Sequence, residues 1–195
     1  MRYPAEHKEQ TRERIVGAAS RSFRRRGGEG IGIAGLMKEL ELTHGGFYRH
    51  FESKEHLFAE ALARSLEEMG DRLGRAAGEG DRARRLGKII EAYLSPGHCA
   101  NPAEGCPVAA LAPEVPRHSA AVRKAYQGAL QRYAGRLSQF MPGRNPAEKR
   151  RNFLVLFSGM AGTLAVARSI DDEAARSDLL REARTFYIAA FCGEA

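Results

Sequence analysis

Between Leu36 and Leu57 the chain reads LMKELELTHGGFYRHFESKEHL, and its polar residues are of types that contact nucleic acid. Gly45 and Gly46 lack side chains, so the backbone there can approach base edges, while Tyr48, Arg49 and His50 can reach phosphate oxygens. Between Thr43 and Phe51 only Phe47 and Phe51 are clearly apolar, too few for a helix that serves a core. A second set, His98, Cys99, Cys106 and His118, offers metal-ligating types, but its spacing fits no common zinc arrangement. A Cys–His hydrolase built around Cys106 would need an orienting partner and an oxyanion site. Neither a strand–turn–helix elbow nor a Gly-rich phosphate loop accompanies it. No catalytic residue, metal or cofactor is therefore expected.

Two short helices joined by a tight turn must position the first set. Leu36, Met37 and Leu40 give the first helix an apolar side, and Leu42 can plug the angle between the two. Thr43 suits the N-cap of the second helix, expected over Thr43 to His50, because its hydroxyl can accept from an orphan amide. Ser53 caps the helix after it, with Lys54 at its start. This is helix-turn-helix grammar.

The segment THGGFYRHFESKEHL resembles the DNA-binding domain of the TetR family of bacterial transcriptional regulators, with Tyr48, His50 or Phe51, and Lys54 at the family's Tyr-x-His-Phe-x-x-Lys signature. The resemblance runs from Thr11 to about Leu62. It departs from the usual pattern at the turn, where Glu41 replaces a frequent Gly, and at the preceding cap, where Gly32 replaces Ser or Thr. A positive φ at Glu41 would be costly. The resemblance implies that His44, Gly45 and Gly46 face bases in the major groove and that Thr43, Tyr48, His50 and Lys54 hold phosphates. It further implies a homodimer on a near-palindromic double-stranded operator, a repressor, and a small-molecule or electrophile effector bound in a C-terminal body.

Composition agrees without deciding the matter. The 195 residues are 43% hydrophobic, ordinary for a globular chain. The net charge is +7, but residues 1–56 hold 11 Lys and Arg against 8 Asp and Glu, so the motif says more than the charge. Three cysteines form no disulfide framework and fit a reducing cytoplasm. No run approaches the roughly 20 apolar residues of a membrane span, and the N-terminus carries no signal-peptide pattern.

Periodicity predicts an all-α chain of about nine helices. After an arm over residues 1–6 they run His7–Arg26, Ile33–Leu40, Thr43–His50, Ser53 to about Leu73, Asp81–Tyr93, Pro107–Ala112, Ala120–Phe140, Asn145–Ile170 and Ser177–Phe191, with Ser95–Gly105 as a loop. Residues 1–52 are expected to form the DNA-binding domain and 53–195 the ligand-binding and dimerisation domain. Thr11, Arg12 and the run Arg24–Arg26 are further candidates for phosphate contact, although such a run equally suits the helix dipole and solvent. The helix from Asn145 is apolar over much of its circumference and carries small residues, so it can pack with the last helix across a two-fold axis. Phe153, Leu156, Gly162, Leu164 and Phe186 are the expected interface. Tyr93, Tyr126, Phe157 and Met160 could line an effector cavity, though such residues are commonly core.

Cys106, between Gly105 and Pro107, would cap the short helix. Free amides there would favour its thiolate and make it a sensor of oxidants or electrophiles. The segment GCPVAAL resembles one in TetR-family regulators that sense reactive species. Cys99 could act as a resolving partner and Cys192 more weakly so; the more ordinary reading is that Cys106 is a small buried hydrophobe, since free cysteine is among the most buried residues. Two readings of other classes remain open: an enzyme acting on small electrophiles through Cys106, and a helical interaction module without DNA binding.

Overall fold

The computed structural model describes residues 5–193; residues 1–4 of the expected arm lie outside them, and residues 5 and 6 already belong to the first helix. Among the described residues there are ten α-helices and no strand. Nine occupy the expected positions, and the tenth lies in the segment read as a loop.

Helix α1 (Ala5–Arg26) ends where Gly27 takes φ 79° and its N–H bonds to Phe23 O at 2.8 Å. Helices α2 (Ile33–Glu39) and α3 (His44–Phe47) follow, and α1 to α3 close around the first half of α4 (Lys54–Ala77). The head's core is formed by Ile15 and Phe23 of α1, Leu36 and Met37 of α2, Phe47 and Phe51, and Leu57, Phe58 and Leu62 of α4. Leu111, Val115 and Val122, from far along the chain, complete it.

The second half of α4 enters the other core, shared with α5 (Arg82–Tyr93), α8 (Ala120–Leu137), α9 (Pro146–Arg168) and α10 (Glu173–Cys192). Helix α4 runs through Gly70 and past Gly74 to Ala77, beyond the expected end at about Leu73. Gly70 is absorbed because α8 comes close: a Cβ there would sit 3.4 Å from Tyr133 Cδ2. The helix stops only at Gly78, in the left-handed region at φ 55°. At the start of α9, Asn145 Oδ1 accepts from Glu148 N at 2.9 Å. Asp172 caps α10 through Ala174 N and Ala175 N, so this helix begins four residues before the expected Ser177.

Between α5 and α8 the chain forms two five-residue helices, α6 (Pro96–Ala100) and α7 (Pro107–Leu111), with a 3-10 turn at Pro102–Glu104. Ser95 caps α6, accepting from His98 N at 3.2 Å, with proline at the first helical position. Helix α6 is held inward by two contacts. His98 Nδ1 donates to Tyr93 O, and Arg168 of α9 donates to His98 O at 3.0 Å and to Cys99 O at 3.1 Å. Burial pushes the His98 imidazole down to about 4, aided by the Arg168 and Arg72 cations and opposed by the bond to Tyr93 O. The ring is therefore neutral at pH 7.

Helix α9 corrects the expected dimer residues. Phe153, Leu156 and Leu164 lie on its inward stripe with Phe157, Met160 and Ala167, where Phe153 and Phe157 stack at 5.5 Å beside Tyr133. A helix apolar on every side does not show in sequence which apolar residues a partner could touch. The outward ones are Leu154, Val155, Gly162, Ala165 and Val166, joined by Phe186 of α10 at 66% exposure. In α10 only Leu180 is buried. Among the described residues no helix is long and apolar enough to cross a membrane.

Two outcomes test this account. Glu41, in the α2–α3 turn, has φ 59°, the only positive value at a non-glycine residue among the described residues. A side chain there costs about 1–2 kcal/mol, so Glu41→Gly should raise unfolding stability by about 1 kcal/mol after its greater chain entropy is allowed for. An unchanged or lower midpoint would show that the turn is unstrained. For His98 the folded pKa is depressed, so the unfolded chain binds the extra proton, and stability falls as pH drops from about 6.5 toward 4. Between pH 7 and 5 the loss should be about 2 kcal/mol. Urea unfolding at both pH values should show a smaller loss in His98→Gln; an equal loss would assign the pH dependence elsewhere.

Candidate nucleic-acid interface

The turn into α3 is fixed by backbone bonds from Glu41 N to Lys38 O and from Leu42 N to Met37 O, at 3.1 and 2.8 Å. Thr43 then adopts an extended conformation, and its hydroxyl accepts from Gly46 N at 3.2 Å. Regular α-helix ends at Phe47 instead of continuing to His50. Two consecutive glycines weaken it, and the chain goes on in tighter turns, with Arg49 N bonded to Gly46 O and His50 N to Phe47 O. Phe47 and Phe51 stack at 5.4 Å and are 0% and 2% exposed. Replacing either by Ala would cost about 3–5 kcal/mol, so this short piece is anchored by two rings.

That anchorage turns the polar residues outward. Thr43, His44, Gly45, Tyr48 and Arg49 are exposed, Tyr48 at 58%, and the His44 and Tyr48 rings meet edge to face at 5.8 Å. A side chain at Gly45 would meet nothing within 4 Å, so packing does not require glycine there. Its absence leaves bare backbone on the outer face. Gly46 is half-buried over Met37 and Thr43.

Beside this face lies a groove of about 630 Å³ between the start of α1 and the turn, lined by Lys8, Thr11, Glu41, Thr43, Arg49 and His50 among others. Burial, followed by the Lys8 and Arg12 cations, holds the His50 imidazole below its ordinary range, so the ring is neutral at pH 7. Its Nδ1 is buried without a hydrogen-bond partner. The groove adds Lys8 and Arg49 to the candidate set. Lys8 stands one helical turn before Thr11, a spacing that could have revealed it.

Other expected contacts are engaged elsewhere. The Thr11 hydroxyl donates to His7 O at 2.9 Å within α1. Arg12 pairs with Glu60 and lies over the Phe51 ring at 4.9 Å, tying α1 to α4. Lys54 pairs with Glu29 at 3.2 Å and lines a different cleft, of about 420 Å³, between head and body. The arginine run divides: Arg25 is exposed, Arg26 pairs with Glu39 at 3.4 Å, and Arg24 is buried.

The expected sensor residues meet in the body. Cys106 does occupy the N-cap position of α7, but its side chain makes no capping hydrogen bond; the thiol is 0% exposed, and burial outweighs the favourable effect of the Val108 and Ala109 amides. Its pKa is raised, opposite to the expected activation. The cap position was readable from the Gly-Cys-Pro spacing, and the alternative reading of Cys106 as a small buried hydrophobe agrees with its burial. The Tyr93 hydroxyl faces the sulfur, yet neither it nor the Tyr133 hydroxyl has a hydrogen-bond partner of ordinary geometry. Tyr126 lies nearby, and Phe157 and Met160 are buried in the same cluster. These residues are packed on one another: Tyr93 and Phe157 meet edge to face at 5.9 Å. The neighbouring cleft of about 260 Å³ reaches the cluster through His98. Cys99 is also buried, and Cys192 is half-buried. Among the described residues no group of three or more His, Cys, Asp and Glu could hold a metal ion.

Residues 15–61 match the sequence profile of the bacterial regulatory proteins of the tetR family. The transcriptional regulator TtgR of Pseudomonas putida is 36% identical over 94 residues, which are 48% of this chain and 44% of TtgR. LmrA of Bacillus subtilis is 29% identical over 126 residues, 64% of this chain and 67% of LmrA. The match to TtgR thus spans less than half of that relative. In three dimensions the likeness is wider: the crystal structure of reduced NemR from E. coli superposes with a TM-score of 0.75 over 91% of this chain and 95% of NemR, at 23% identity. The helix-turn-helix is thus matched by sequence to the tetR family of bacterial regulatory proteins, and nearly the whole length of the chain shares the fold of NemR.

Proposed function

We propose that the protein is a sequence-specific DNA-binding repressor, released from its operator by an effector that acts in the body. The observation that carries this reading is the outward face of α3: exposed Thr43, His44, Gly45 and Tyr48, held by the buried Phe47–Phe51 pair beside a groove containing Lys8, Arg49 and His50. His44, Gly45 and Gly46 meet base edges. Thr43, Tyr48, His50 as a neutral donor, the added Lys8 and Arg49, and Lys54 on exchanging its exposed partner Glu29, meet phosphates. Residues 1–52 form the reading head and 53–195 the sensing and pairing body, with the first turns of α4 serving both. The buried Cys106 thiol, with its raised pKa, gives no support to the enzyme alternative built on it. The Glu41 turn keeps helix-turn-helix geometry, which disfavours an interaction module without DNA binding.

The effector reading has two forms. A small molecule entering the cluster could satisfy the Tyr93 and Tyr133 hydroxyls, which lack partners. A reactive species could modify Cys106, but only after the body opens, because the thiol is buried and its pKa is raised. The first form is the better supported.

DNA binding should be measured by fluorescence anisotropy with the chain's own upstream region, across salt. Lys54→Ala should weaken binding to all sequences and lower the salt slope by about one unit, while Tyr48→Phe should cost affinity without changing base preference. Unchanged affinity and slope in Lys54→Ala would remove Lys54 from the interface.

We further propose a homodimer formed by the outward faces of α9 and α10, with Val155, Gly162, Val166 and Phe186 at its centre. It would set two recognition helices about 34–36 Å apart, one turn of DNA. Gly162 is exposed with open space around it, so Gly162→Glu should leave the protomer folded yet monomeric and unable to hold a palindromic operator. Light scattering and circular dichroism decide this: a folded dimer in the variant would place the interface elsewhere.

A further inference from the structure

We propose that α7 and the two straps flanking it form the mechanical link between the body and the end of α1; the proposal rests on the regulator reading above. The first strap is the 3-10 turn just before α7. Arg24, in the last turn of α1, has a fully buried side chain whose Nε donates to Ala103 O at 2.6 Å. Its two Nη atoms make no hydrogen bond, and the nearest carboxylate, Glu104, is 3.9 Å away. That same carboxylate stands 4.0 Å from Arg21 of α1 and 3.7 Å from Arg72 of α4, and Arg72 also donates to Glu104 O. The second strap lies three residues beyond α7, where Glu114 accepts from Gly28 N at 2.7 Å in the loop leading to α2. Between the straps, Leu111 enters the head's core.

The opposite side of the same segment is fixed to the body. Arg168 of α9 holds the His98 and Cys99 carbonyls, and Cys106, the cap of α7, is sealed into the tyrosine cluster. A shift of α7 therefore acts at Arg24 and Gly28, about one helical turn apart, at the point where α1 hands over to α2. Arg24 makes the link two-state. A desolvated guanidinium with a single short hydrogen bond stays buried only while Ala103 O remains in place. Once the turn moves, hydration of Arg24 favours the released arrangement. Filling or expanding the cluster around Cys106 would push the clasp toward release and uncouple the position of α2 and α3 from the body.

Four full-length proteins test the link: wild type, Cys106→Met as a fixed expansion at the cap of α7, Arg24→Met/Glu114→Ala with both straps cut, and the three changes combined. Operator affinity of Cys106→Met should fall on the order of tenfold in the wild-type background and change little when the straps are cut. Equal factors in both backgrounds, or no effect in the wild-type background, would overturn the proposal. Hydrogen exchange without DNA gives a second reading. Cys106→Met should speed exchange over residues 20–33 only when the straps are intact, while α9 and α10 stay protected. Exchange over 20–33 that is indifferent to the straps overturns the link whether or not DNA binds. Absence of DNA binding in all four proteins, with the expected exchange pattern, removes the regulator reading and leaves the link standing.

Discussion

The structure depends on the continuity of α4. One apolar stripe, from Leu57 through Leu62, Leu66, Met69 and Leu73 to Ala77, is buried along the whole helix, first in the head's core and then in the body's. Each end is secured by its own device: the Ser53 hydroxyl accepts His56 N at 3.1 Å, and Gly78 supplies a left-handed stop. A helix of 24 residues is about 36 Å long. Because its two halves serve different cores, a tilt of α4 cannot be confined to either. Ser65 and Ser20, bonded at 2.7 Å in a buried contact, pin α4 to α1 near the midpoint.

The sequence was most informative where structure is local. Caps at Thr43, Ser53 and Asn145 announce themselves by a side-chain acceptor three residues before a free amide, and all three are made as expected. The Phe47–Phe51 spacing identified the buried side of the recognition segment, and with it the outward residues. Partnership across long separations was not legible. Arg24, Arg25 and Arg26 are chemically identical neighbours, yet one is buried, one is exposed and one pairs with Glu39, because only the turn 79 residues away decides which of them is covered. For Cys106 both the local effect of helix amides and the tendency of cysteine to be buried were visible, but not which of them prevails; burial does.

Several buried polar groups of the protein are imperfectly satisfied. The Tyr93 and Tyr133 hydroxyls, His98 Nε2 and the Arg24 Nη atoms are all buried without partners. Each carries a desolvation cost that a fully apolar core would avoid. Such groups make the packed arrangement responsive, since water or a ligand that supplies the missing bond gains what the resting state forgoes. The head has a similar feature in His50, whose Nδ1 lacks a partner beside a basic groove.

The composition of the head's core bears on how the protein is made. Its first helices come from residues before Leu62, but the core is closed by Leu111, Val115 and Val122. During synthesis, which proceeds from the N-terminus at roughly 5–20 residues per second, the helix-turn-helix waits some seconds for the segment that seals it. Until Val122 has left the ribosome, Phe23, Phe58 and their neighbours lack part of their cover. The reading surface is therefore finished late, after α5 to α7 have been made and as α8 begins, so the segment that joins head to body is part of the head before the rest of the body exists.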